Sequence, residues 1–143
     1  IGRAIDGALL IAGPALGAAA IAIDRRSDAD NALVRVDQMR IEQVVLNVIQ
    51  NAIDALRDRP APRIRIETAL SGDEARVLVS DNGPGAADPE SLFVPFRSDK
   101  ETGLGLGLSI SREILSEYGG AIVYRAAPEG GALFEIALPR SRT

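Results

Sequence analysis

Apolar side chains recur at helical spacing from Ile1 to Ala12 (Ile1, Ala4, Ile5, Ala8, Leu9), and Gly13-Pro14 is expected to end this first helix. Ala20 to Asp24 and Leu33 to Val36 read as two short strands separated by a polar turn rich in Asp and Arg. Gln38 to Arg57 carries the strongest helical pattern, closed by Asp-Arg-Pro-Ala-Pro at Asp58 to Pro62, where two prolines forbid continuation. Arg63 to Ala69 alternates apolar and polar positions, Ser71-Gly72-Asp73 supplies a turn, and Ala75 to Ser80 follows as the partner strand of an antiparallel hairpin. From Asp81 to Thr102 Gly, Pro, Asp and Ser dominate, a connection too long to be idle in a compact domain. A third helix is predicted from about Leu106 to Tyr118, ended by Gly119-Gly120. Ala121 to Ala126 and Ala132 to Pro139 then pair around Pro128-Glu129-Gly130-Gly131.

Hairpins interleaved with three helices predict an α/β (α+β) two-layer sandwich: a mixed, mostly antiparallel sheet of about five strands, one face covered by helices and the other partly open to solvent. The 143 residues, 46% hydrophobic and 25% charged, suit one compact domain spanning 1–143. Aromatics make up only 3%, so the core is expected to be aliphatic layers. A net charge of −4 without a Lys/Arg cluster argues against a nucleic-acid partner. The absence of cysteine excludes disulfides and thiolate metal sites and is compatible with a cytoplasmic setting. Ala4 to Ile23 looks apolar, but Asp6, Gly7, Gly13, Pro14 and Gly17 interrupt it as a membrane span of about 20 apolar residues rarely allows. The chain opens on Ile1 with no signal-peptide pattern, and is expected to be a piece of a longer protein whose membrane anchor, in the inner membrane if there is one, lies elsewhere.

Four motifs carry candidate chemistry. At about 100° per residue, Gln43, Asn47, Asn51 and Asp54 share a narrow arc of the second helix, opposite Val44, Val45, Leu46, Val48, Ile49, Ala52, Ile53 and Leu56. A solvated amphipathic face is the plain reading, but Asn is a poor helix former where Glu, Lys or Gln would serve. Side-chain carbonyl oxygens instead suit Mg²⁺, a hard cation usually shared between one or two protein oxygens and nucleotide phosphates. Asp81-Asn82-Gly83-Pro84-Gly85 follows a strand and could be a tight turn, yet no partner strand follows it. A carboxylate there can accept from the exocyclic amine of adenine, where guanine presents an oxygen, so Asp81 is a candidate for selecting ATP over GTP. Gly103-Leu104-Gly105-Leu106-Gly107-Leu108 leads into a helix N-terminus, whose free N–H groups and dipole favour phosphate; neither a P-loop nor a dinucleotide spacing is present. Phe93 and Phe96 lie in the long loop, where they either anchor it on the core or belong to a lid that closes over nucleotide.

In this order the motifs resemble the conserved boxes of the histidine kinase catalytic domain, a branch of the ATPase superfamily shared with gyrase and MutL. Gln43 to Leu56 looks like the N box, Asp81 to Gly85 the first glycine box, Leu92 to Phe96 the F box and Gly103 to Leu108 the second glycine box. The resemblance implies the Bergerat fold with an ATP lid, and ATP with Mg²⁺ as cofactors. Asn51 would ligate Mg²⁺, Asn47 would support the phosphate site as the catalytic candidate, and Asp81, with Gly83 and Gly85, would hold the adenine. Lys100, Thr102, Gly103, Leu104, Gly105, Leu106, Gly107 and Leu108 would surround the phosphates. Asp54, also counted with the nucleotide site, stands where many members carry a phosphate-touching Lys, so Lys100, Arg97 or Arg57 must supply that charge. Phe96-Arg97-Ser98-Asp99-Lys100 departs from the Phe-Phe-Thr-Thr-Lys of the subgroup, the dicarboxylate-transport and nitrogen-regulatory sensors, that the Asn-Ala-Ile-Asp-Ala-Leu ending and Glu129 to Phe134 otherwise resemble.

The implied activity is transfer of the γ-phosphate of Mg-ATP to a histidine in two-component signalling. The chain contains no histidine, so the acceptor must sit on a separate dimerisation domain of a protein expected to be a homodimer, with a response regulator receiver domain as the next partner. An ATP-hydrolysing clamp is the first alternative, disfavoured because Asn47 holds an amide where the clamp's general base would be. A nucleotide-sensing pseudokinase module is the second, disfavoured by the intact Asn51, Asp81 and glycines.

Overall fold

A computed structural model describes residues 1–86, 88–94, 107–128 and 130–141. Three helices, α1 (Gly2–Ala18), α2 (Gln38–Ala55) and α3 (Gly107–Glu117), and five strands, β1 (Ala22–Ser27), β2 (Arg63–Ser71), β3 (Glu74–Asp81), β4 (Ala121–Ala126) and β5 (Ala132–Pro139), are joined by a short 3-10 turn at Pro89–Ser91. The sheet order is β1-β2-β3-β5-β4, with β1 parallel to β2 and every other pair antiparallel. This is the mixed two-layer α/β arrangement that the alternating hairpins and helices predict.

The strand alternation explains the layering. Ile64, Ile66, Val77, Val79, Phe134, Ile136 and Leu138 point to the helix side and are almost fully buried. Their neighbours on the opposite face pair as ions, with Arg65 Nε 3.1 Å from Asp24 and Arg76 2.7 Å from Glu135. Among the described residues Phe134 is the only ring in the set of largest fully buried side chains, so the core there is the aliphatic one that the composition implies. On α2, Ile41, Val44, Val45, Val48, Ile49 and Ala52 are buried, and Asp37 caps the first turn by accepting from Met39 N at 2.9 Å.

Two expectations are corrected. The first helix does not stop at Gly13-Pro14 but runs through Pro14 to Ala18. Pro14 is exposed, and although a proline costs a helix interior about 3 kcal/mol, carrying the helix onward buries Leu16 and Ile21, each worth about 1.5–3 kcal/mol. Ala20, at φ 55°, turns the chain out, and Ile21 N closes on Leu16 O at 3.0 Å. Leu33 to Val36 forms no strand: Val34 makes one antiparallel bridge to Arg140, while Leu33 is exposed and supports the crossing only by accepting from Ser141 N at 2.7 Å.

Asp30 ties the start of α1 to the sheet. Its carboxylate accepts from Thr68 Oγ1 at 2.7 Å and from Arg25 at 2.8 Å, and its carbonyl accepts from Gly2 N at 2.8 Å. Burial alone would raise the pKa of Asp30, but hydrogen bonds from Thr68 and Ser27 and the Arg25 charge outweigh it and hold the group below its ordinary value. Asp30→Ala is expected to lower stability by about 2 kcal/mol near neutral pH. Because the folded pKa is depressed, this contribution is present above the ordinary carboxylate pKa of about 3.9 and fades as pH falls through the folded value. Urea unfolding of both proteins at neutral and acid pH measures the difference.

Candidate functional site

The polar face of α2, the loop after β3 and the start of α3 meet at one end of the sandwich. Asn47 is half-buried, and its amide nitrogen donates to Gly107 O at 3.1 Å and to Ser111 Oγ at 3.1 Å. Ser111 is fully buried and donates back to Gly107 O at 2.9 Å. Asn47 therefore braces α2 to the mouth of α3, and among the described residues no hydrogen bond reaches its carbonyl oxygen. One turn further, half-buried Asn51 has no side-chain hydrogen bond among the described residues. Asp54 lies 3.7 Å from the Arg57 guanidinium, so the one nominated cation within the described residues is already partnered by a carboxylate.

Asp81 ends β3 with only 5% of its surface exposed. Its Oδ1 accepts from Gly83 N at 2.8 Å and from Ala132 N at 3.4 Å. Among the described residues no hydrogen bond reaches Oδ2. Burial raises its pKa, and the two backbone donors offset this only in part. Space is tight at Gly83: a Cβ would lie 3.0 Å from Ala55 O at the end of α2 and 3.0 Å from Asp81 Oδ1. That close approach carries the loop against the amide-bearing helix. Gly85 follows at φ 78°.

Several contributors escaped the sequence reading. Gly131, at φ 87°, passes so close to Asp81 that a Cβ would sit 2.0 Å from its carbonyl oxygen, and this contact delivers Ala132 N to the carboxylate. The Gly-Gly pair was its only sequence signal. Asn82 holds the neighbouring α2–β2 connection, accepting from Arg63 N at 2.8 Å and donating to Ala61 O at 2.9 Å. Tyr124 accepts from Ala86 N at 3.0 Å.

The remaining nominees divide. Gly107 begins α3, where a Cβ would make only ordinary contact 3.8 Å from Asn47. Leu108 turns its side chain into the core, leaving only its backbone for the site. Phe93 packs edge-on against Phe134 with centroids 6.5 Å apart, and the Arg112 guanidinium lies 4.1 Å from its ring centre, so Phe93 anchors on the core. Phe96, Arg97, Lys100, Thr102, Gly103, Leu104, Gly105 and Leu106 lie outside the described residues. Among those described, no three His, Cys, Asp or Glu could hold a metal, and no helix is long and apolar enough to cross a membrane.

This fold, with a buried strand-end carboxylate facing an amide-bearing helix, defines a class. Residues 36–142 match the histidine kinase-, DNA gyrase B-, and HSP90-like ATPases, and the chain belongs to that family. Within it the similar proteins are sensor kinases. The C4-dicarboxylate transport sensor protein DctB of Rhizobium meliloti (strain 1021) is 47% identical over 115 residues, covering 78% of this chain and 18% of DctB. The sensory histidine kinase/phosphatase NtrB of Klebsiella oxytoca is 37% identical over 114 residues, covering 72% of this chain and 32% of NtrB. The nucleotide-free catalytic domain of histidine kinase ThkA superposes with a TM-score of 0.87 at 30% identity, over 98% of this chain and 92% of that one. ThkA bound to the response regulator protein TrrA gives 0.81 at 28% identity, over 99% and 40%. The chain thus spans less than a third of either sensor kinase it matches.

Proposed function

We propose that residues 1–143 form one catalytic domain that binds Mg-ATP and passes the γ-phosphoryl group to a histidine on a separate dimerisation domain of the same, homodimeric kinase, from which a response regulator takes it. The observation that carries this reading is Asp81: a buried carboxylate with one oxygen held by backbone and the other unclaimed, at a strand end packed against α2.

The donor set fits the nucleotide. Asp81 Oδ2 accepts from the adenine amine, while Gly83 and Gly85 let the backbone approach the base. The side-chain carbonyl oxygen of Asn51 is a hard donor of the kind Mg²⁺ takes when it keeps most of its ligands as water and phosphate. Bound metal supplies charge neutralisation at the phosphates. Asn47 and Ser111 fix the first turn of α3, so the backbone N–H groups of that turn are set in place before nucleotide arrives. Asn47 cannot serve as a general base, which favours transfer over hydrolysis. The protein works on the cytoplasmic side, where ATP is available, with any inner-membrane anchor in another part of the protein.

With γ-labelled ATP and the histidine-bearing segment of the same kinase, the label is expected on that segment in acid-labile form and not on this chain, which has no histidine. Nucleotide binding without any transfer would instead make it a sensing module, and steady turnover of about 1 per second, within the ordinary enzyme range, would make it a hydrolytic clamp.

A further inference from the structure

We infer that Tyr124 is a positioning residue for base recognition: its hydroxyl, reaching across β5, holds the loop that follows Asp81 in the shape that presents the carboxylate. This inference rests on the nucleotide-binding reading given above.

β4, which carries Tyr124, is separated from β3 by β5. Neighbouring strands lie about 4.8 Å apart, so the loop leaving β3 is roughly 10 Å from β4 and only a long side chain with a polar tip can span the gap. Tyr124 pairs in register with Phe134 on β5 and lies against its ring, centroids 5.6 Å apart at 61°. Phe134 is 2% exposed, so the tyrosine ring is seated on a fixed surface. The hydroxyl then accepts from Ala86 N at 3.0 Å. Beside it, Gly85 takes φ 78°, and a Cβ there would sit 3.4 Å from the tyrosine oxygen and 3.3 Å from Gly131 O.

Asp81 is therefore supported from two directions. The start of β5 supplies Ala132 N to its Oδ1, and Gly83 N fills the same oxygen from within the loop. The loop carrying Gly83 has its far end, at Ala86, pinned by Tyr124. Without the hydroxyl, Ala86 N loses its acceptor and the left-handed turn at Gly85 loses its fixed end. The loop then samples conformations in which Gly83 N no longer shapes the carboxylate, and the bound arrangement must be ordered again at each binding event.

Tyr124→Phe removes the hydroxyl and keeps the ring on Phe134. Calorimetry with Mg-ATP and Mg-ADP is expected to show affinity about 3- to 10-fold weaker for both, the range one hydrogen bond commands. The factor is equal because the loop serves the base and not the γ-phosphate. The rate of transfer at saturating ATP stays at the wild-type value, and the melting temperature falls by no more than a few degrees, about what one lost hydrogen bond costs a domain of this size. Wild-type affinity in Tyr124→Phe, or a loss confined to ATP, overturns the inference. So does a parallel fall in affinity, saturated rate and melting temperature, which assigns Tyr124 to structure alone. If the unsubstituted chain itself fails to saturate with Mg-ATP, the nucleotide-binding reading fails first, and the two failures are separated.

Discussion

Asp81→Asn is expected to weaken adenine-nucleotide binding by about 100-fold while leaving the empty domain at least as stable at neutral pH. The two effects have one cause. The asparagine oxygen can still accept from Gly83 N and Ala132 N, so the fold keeps its contacts. Its amide nitrogen then replaces Oδ2 and meets the adenine amine donor to donor, which forfeits a charge-assisted hydrogen bond of about 1.5–3 kcal/mol and leaves polar groups unpaired. Stability moves the other way because burial raises the Asp81 pKa. A raised folded value means that the group favours the native state only below its ordinary pKa of about 3.9, and that this advantage is lost as pH rises through the folded value. At neutral pH the native state holds a desolvated charge that the unfolded chain solvates freely, and asparagine removes that penalty. Calorimetry and thermal melting from pH 3 to pH 8 test both halves. Unchanged affinity removes Asp81 from the site, and a lower melting temperature at neutral pH contradicts the electrostatic account.

Gly131→Ala is expected to cost about 3 kcal/mol of stability or more. At φ 87° an L side chain is strained before any neighbour is considered, and here the new Cβ would lie 2.0 Å from Asp81 O and 2.9 Å from Asp81 Oδ1. The nearest atom belongs to the backbone, so no rotamer relieves the overlap. The β4–β5 turn or the end of β3 must move, and Ala132 N leaves the Asp81 carboxylate in either case. Urea unfolding reports the stability loss, and Mg-ADP binding to the surviving folded fraction should fall with it. A variant within about 0.5 kcal/mol of the parent, the span of an ordinary surface substitution, would mean that the two strands do not approach as closely as the structure has them.

Much of this was legible along the chain, for reasons that differ by element. α2 was plain because eighteen residues with one apolar and one amide-bearing face satisfy the helical period over several turns, and two prolines close it. The β2–β3 and β4–β5 hairpins announced themselves through alternation and glycine-containing turns. Gly13-Pro14 misled, because local breaker chemistry was outweighed by the burial of Leu16 and Ile21, a gain that depends on what α1 packs against. Leu33 to Val36 misled for the converse reason: its residues look like a strand, but among the described residues the stretch makes a single β-bridge, from Val34 to Arg140, 106 residues away.

The residue types by themselves determined which groups could read a base, hold a hard cation or receive phosphate, since an amide oxygen, a carboxylate and a glycine-led helix mouth have those capacities wherever they stand. Only the tertiary structure decided how they are supported. Asn47 is braced by Ser111 on another helix, Asp81 is shaped by Ala132 fifty-one positions away, and its loop is pinned by Tyr124 from a strand that does not touch β3. Such contacts follow from strand order and from the space left by Gly83 and Gly131, and strand order is set by burial summed over the whole sheet, a quantity no short stretch of chain contains.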